Sequence, residues 1–167
     1  MDEQSGDEFR DFMHGRWPAM VRLGYALTGD QGDAEDLAQA AFARAYASWP
    51  RVRRAGDPDA YVRRIVINEN RNRFRKQRVP EHLTDRVPER GGTDETGGHD
   101  DRSALMAALR KLGPRQRAVV VLRYWLDMTE AETAATLGCS VGTVKSQASR
   151  ALLRLRQRAE LLDGGVQ

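Results

Sequence analysis

Apolar positions recur at steps of three and four over most of the chain, and strict alternation is absent. The pattern therefore predicts helices and no strands. Pro18 suits a helix start, and Met20, Leu23, Ala26 and Leu27 follow as a buried face up to Thr28-Gly29-Asp30. Asp33 suits the N-cap of a second helix, in which Leu37, Ala38, Ala41, Phe42, Ala45, Tyr46 and Trp49 form a strong apolar stripe. Pro50 stops that helix. A basic loop (RVRRAGD) leads to a third helix starting near Pro58, with Tyr61, Val62 and Ile65 facing inward. This helix runs on into the polar, basic stretch NENRNRFRKQR.

Between residues 79 and 101 the periodicity stops. Two prolines, four glycines and seven acids fall there, the composition of a flexible linker. Beyond it Leu105, Leu109 and Leu112 mark a new helix, Gly113-Pro114 a turn, and Ala118, Val121, Leu122 and Trp125 another helix. The expected fold is all-α: two small helical domains, residues 1–79 and 102–167, joined by a flexible acidic linker over 80–101.

Residues 129–155 predict a helix, a tight turn and a second helix. Ala134 sits where a neighbouring helix must approach closely, Gly138 suits a helix end with positive φ, and Ser140 can cap the next helix. In that helix Val144, Ala148, Ala151, Leu152 and Leu155 form one apolar stripe. The opposite arc carries Thr143, Ser146, Ser149, Arg150 and Arg154, short hydroxyls and forked cations of the kind that reach phosphates and base edges. This pattern reads as a DNA-binding helix-turn-helix. An ordinary αα-hairpin with a solvated polar face remains the alternative at this point.

Composition adds a charge pattern rather than a class. The 167 residues have a formal net charge of +3, which hides its distribution. Acids exceed bases over residues 1–50 and 81–101, whereas residues 51–80 hold ten Lys or Arg against three acids and residues 102–167 hold eleven against five. Two basic blocks suggest two contact surfaces for a polyanion. No apolar run is long enough to span a bilayer and the N-terminus is acidic rather than signal-like, so a cytoplasmic protein is expected, without membrane insertion. One cysteine, Cys139, excludes an internal disulfide framework.

Three segments resemble a known family: GDAEDLAQAAFARAYASWP (32–50), DPDAYVRRIVINENRNRFRKQ (57–77) and LMAALRKLGPRQRAVVVLRYWLDMTEAETAATLGCSVGTVKSQASRALLRLR (105–156). In order and spacing they resemble the extracytoplasmic-function (ECF) RNA polymerase sigma factors, and within them the actinobacterial SigE-like family. The resemblance implies a promoter-specificity subunit that binds core polymerase, directs it to a promoter and helps melt it.

It also implies residue roles. The outer face of the second helix, with Glu35, Asp36, Gln39 and Arg44, would dock on the clamp of the β′ subunit; Ala40 departs from the acidic residue frequent there. Arg51, Arg53 and Arg54, with Arg63, Arg64, Asn68, Arg71, Arg73, Arg75 and Lys76, would open and read the minus-ten element. Asn68 matches the family pattern, whereas Tyr61 replaces a frequent tryptophan. The helix-turn-helix, with Thr143, Lys145, Ser146, Ser149 and Arg150, would read the minus-thirty-five duplex. Arg115 and Arg117 would hold phosphates from its edge, and the same domain would touch the β flap. The acidic linker would thread toward the active-site cleft, and an anti-sigma factor is a further expected partner.

No constellation of residues predicts an enzyme. His14, His82 and His99 have no metal-ligand spacing, the Gly91-Gly92 and Gly97-Gly98 pairs do not form a phosphate loop, and no nucleophile has a base partner. No catalytic residue, metal or cofactor is therefore expected. Trp17, Trp49 and Trp125 are expected in packing roles. The rival reading is a stand-alone helix-turn-helix transcriptional regulator, which would bind a symmetric duplex site without polymerase.

Overall fold

The computed structural model describes residues 2–78 and 100–164. Among these residues it is all-α, with no strand, and it forms two compact units. The first contains α1 (Glu3–Thr28), α2 (Gln31–Ala47), α3 (Trp49–Arg54) and α4 (Pro58–Arg78). The second contains α5 (Asp100–Lys111), α6 (Pro114–Val120), a π-helical stretch (Val121–Trp125), α7 (Glu130–Leu137) and α8 (Val141–Asp163). Most of the expected linker, with His82 and His99, lies outside the described residues, but its last two positions already belong to α5.

In the first unit α1, α2 and α4 pack around one core. Met20, Leu23, Ala26 and Leu27 are buried, as the periodicity predicts. Alanines at 34, 38, 41 and 45 keep α2 slim enough for both neighbours to approach. The tightest crossing is at Gly24, where an added Cβ would lie 3.0 Å from the Ala34 Cα and 3.0 Å from its carbonyl oxygen.

Pro18 does not start α1; it sits inside it. The helix begins at Glu3 and is capped by Asp2, whose carboxylate accepts from the Ser5 amide at 2.8 Å. A proline in a helix interior costs roughly 3 kcal/mol through its missing donor and ring clash. Here Pro18 and His14, four residues before it, are both exposed, so the interruption lies on the solvent side of α1. The turns before Pro18 are held by aromatic packing: Phe9 and Phe12 lie against Phe42 and Trp49, and Trp17 against Phe42. Packing therefore outweighs the local preference of one residue.

Three further expectations need correction. The N-cap of α2 is Asp30, whose carboxylate accepts from the Asp33 amide at 2.8 Å. Pro50 does not end a helix; α2 stops at Ala47, and Pro50 lies in the first turn of α3, so residues 51–54 are helical rather than loop. On α4 the inward residues are Val62, Val66 and Ile67, whereas Tyr61 and Ile65 are only half-buried.

In the second unit α6 carries core residues on two sides. Val120 packs with Leu109, Leu112 and Ala151, and Val119 with Ala134 and Val144. Leu105, expected inside, is exposed. So is Trp125, at 46%, because the helix widens after Val120 and the Leu126 amide reaches back five residues to the Val121 carbonyl at 3.0 Å. That widening turns Tyr124 and Trp125 outward.

Candidate nucleic-acid interface

The helix-turn-helix is built from local chemistry. Thr129 and Glu132 form a reciprocal capping box that fixes the start of α7. Gly138 ends α7 in the left-handed region, φ 67°, which a side chain would oppose. Two residues later Ser140 Oγ accepts from the Thr143 amide at 3.1 Å and starts α8. Val144 and Ala151 are fully buried, with Ala148 packed beside them. Their burial turns Lys145, Ser146, Ser149 and Arg150 to solvent.

The hydroxyls on this face are partly committed. Ser146 Oγ donates to the Thr143 carbonyl at 3.0 Å, so toward a ligand it offers acceptor lone pairs only. Thr143 Oγ1 lies 2.9 Å from Ser140 Oγ, and the residue as a whole is half-buried. Lys145 and Arg150 are exposed cations and supply the charge.

Arg115, in the first turn of α6, is exposed, but Arg117 is not a surface cation. It is 9% exposed, and its guanidinium donates to the carbonyls of Leu109 at 2.9 Å, Arg110 at 3.2 Å and Leu112 at 3.2 Å. These carbonyls lie around the end of α5, where helical donors run out, although the Leu109 carbonyl also accepts from the Leu112 amide at 3.1 Å. Burial, and then repulsion from Arg110, lowers its pKa. The expectation that Arg117 holds a phosphate is therefore corrected: its donors are turned into the unit, and sequence spacing carried no sign of that burial.

On the first unit Glu35, Asp36 and Gln39 are exposed along one side of α2, away from buried Leu37, Ala41 and Phe42. Gln31 Nε2 donates to Glu35 Oε1 at 3.1 Å. Arg44 continues the exposed surface and reaches across to Glu69 of α4, with Nη2 2.7 Å from Oε1.

The basic residues of α3 and α4 divide into two groups. Arg51, Arg64, Arg75 and Lys76 are exposed, and Arg54, also exposed, donates Nε to the Pro50 carbonyl at 3.1 Å. Arg53, Arg63 and Arg73 are engaged within the unit. Arg53 pairs with Glu8 at 2.7 Å, and Arg63 with Asp59 at 3.2 Å. Arg73 joins α4 to the start of α2 through Asp33, donating to its carboxylate at 2.8 Å and its carbonyl at 3.3 Å. Asn68 and Arg71 are half-buried. Of the anchoring acids, Glu8 and Glu69 were not singled out by sequence reasoning, and Asp33 was read only as an N-cap. Two of them sit beside buried positions, Glu8 next to Phe9 and Asp33 next to Ala34, but pairing across helices leaves no periodic signal.

Two helical units, one presenting an exposed recognition helix and the other a basic helix, define a DNA-binding protein. Residues 16–79 match the family model for sigma-70 region 2, and residues 102–155 match that for sigma-70 region 4. The RNA polymerase sigma-E factor of Streptomyces antibioticus is 43% identical over 93% of this chain and 87% of its own length. That of Streptomyces coelicolor is 44% identical over 90% of this chain and 85% of its own. Among solved structures, the sigma factor RpoE in complex with the anti-sigma factor NepR from Bartonella quintana is similar, with 26% identity and a TM-score of 0.63. That likeness covers 90% of this chain and 95% of the other. The chain belongs to the RNA polymerase sigma factors, as an ECF factor of the SigE-like type. It is thus a DNA-binding transcription initiation factor rather than a classical enzyme, and the stand-alone regulator is set aside. Among the described residues no helix is long and apolar enough to cross a membrane.

Proposed function

We propose that this sigma factor grips a promoter at two points while docked on core polymerase in the cytoplasm. Residues 1–79 form the docking and melting domain, residues 80–99 the tether, and residues 100–167 the duplex-reading domain. Glu35, Asp36, Gln39 and Arg44 meet the β′ clamp. Arg51 and Arg54 on α3, with Arg64, Asn68, Arg75 and Lys76 on α4, follow the backbone of the minus-ten strand as it opens. Arg63, Arg71 and Arg73 support that surface from within α4.

Lys145, Ser146, Ser149 and Arg150, with Thr143 at the edge, read the minus-thirty-five duplex, and Arg115 holds a flanking phosphate. The same domain touches the β flap. An anti-sigma factor, as seen with RpoE of Bartonella quintana, is a fitting regulator for such a surface.

The observation that carries this reading is the exposed face of α8 opposite buried Val144 and Ala151. Each DNA contact alone is modest. Tethering both to one polymerase makes the second binding event intramolecular, which multiplies affinity without new contacts. The test is in vitro transcription with purified core polymerase on fragmented genomic DNA. Discrete starts that require this protein support the reading; no dependent start, together with no binding to β′, overturns it.

A further inference from the structure

The first half of α1 precedes the segment that matches the region 2 model, which starts at residue 16. It is nevertheless packed into the first unit. Phe9 is buried, with its ring 5.2 Å from Trp49 and 5.0 Å from Tyr46, and Phe12 lies 5.2 Å from Trp49. Trp49 is the first residue of α3, and Val52 is the other buried side chain of that helix.

α3 is six residues long, and its N-cap makes no side-chain hydrogen bond. A helix that short does not hold its own direction in water, so its orientation comes from what grips it. α1 grips it at two places. Phe9 and Phe12 hold Trp49 at its start, and Glu8 Oε2 takes Arg53 Nη1 at 2.7 Å near its end. Arg51 and Arg54, three residues apart and so on one side of the helix, stay exposed.

We infer that Glu8 is a positioning residue for promoter opening: by holding Arg53 it orients α3 so that Arg51 and Arg54 present their charge to the opened strand. Arg53 is then an intramolecular partner and not a phosphate ligand. This rests on the proposed melting role of α3 and α4. Glu8 and Arg53 are both partly exposed, 40% and 45%, so the pair adds little to stability and its effect is on direction.

The test uses the full chain with core polymerase on a promoter that it transcribes, following strand opening by permanganate reactivity and core affinity separately. Glu8→Arg and Arg53→Glu should each slow opening about fivefold, the scale of one partly exposed charge pair, without changing core affinity. The double swap, Glu8→Arg with Arg53→Glu, should restore opening to near the starting rate. Glu8→Gln, a milder change, should slow it less and leave the thermal melt unchanged. If the swap opens as slowly as Arg53→Glu alone, Arg53 touches the strand directly and the inference fails. It also fails if no variant alters opening. If the unmodified protein opens no promoter, the proposed function itself is wrong, and the inference falls with it.

Discussion

Arg117 Nε donates to the Leu109 carbonyl at 2.9 Å, closing the end of α5 from a residue on the next helix. A buried guanidinium serving three carbonyls is structural, and its loss takes a donor from each, of which the Leu109 carbonyl keeps the Leu112 amide at 3.1 Å. Arg117→Ala should therefore destabilise the protein by about 2–4 kcal/mol, at about 1–3 kcal/mol for each buried group left unsatisfied, less what water recovers. Arg117→Lys should recover only part of this, since an ammonium cannot reproduce the fork. Denaturant unfolding measures both; a surface phosphate ligand would show almost no change.

At the α1–α2 crossing, Gly24 leaves no room for a side chain against the Ala34 backbone. In an open helix, Gly→Ala would stabilise by about 1 kcal/mol. Here the added methyl meets backbone, which yields poorly, so Gly24→Ala should instead destabilise by about 1–3 kcal/mol. Thermal unfolding gives the sign; a rise in Tm would show that the helices separate freely.

The exposed side of α2 gives a separable test of docking. Asp36→Arg combined with Gln39→Ala changes two solvent-facing groups and no core contact. The melting temperature should stay within a degree or two, whereas affinity for core polymerase should fall at least tenfold. Equal core affinity would move the docking face elsewhere.

On α8, Lys145 is an exposed cation and is assigned to a phosphate. Lys145→Ala should weaken binding to all duplex sequences alike once polymerase is present, and lower the salt slope by about one phosphate contact. A change in sequence preference instead would make Lys145 a base reader.

The helix-turn-helix was legible because its signals are local. Gly138, Ser140 and the stripe from Val144 to Ala151 fall within fourteen residues, and each acts on its immediate neighbours. The α1–α3 contact was not legible, for a physical reason. Pro18 and Pro50 are ambiguous in sequence, each able to start or to interrupt a helix, and the decision came from Phe9 and Phe12 packing on Trp49. The basic residues on α4 were visible as charge. Which of them face solvent depends on acids far away in sequence, such as Asp33 for Arg73, forty positions apart. Arg117 shows the same limit, since its burial follows from where α5 ends.

The most direct test of the two-point grip is to map transcript 5′ ends made by core polymerase with the unmodified protein and with Arg150→Ala. Discrete starts sharing an upstream duplex motif are predicted for the former. For Arg150→Ala, those starts should fall at least tenfold while core binding is unchanged. The same starts at the same strength would contradict the claim that the face of α8 chooses where transcription begins.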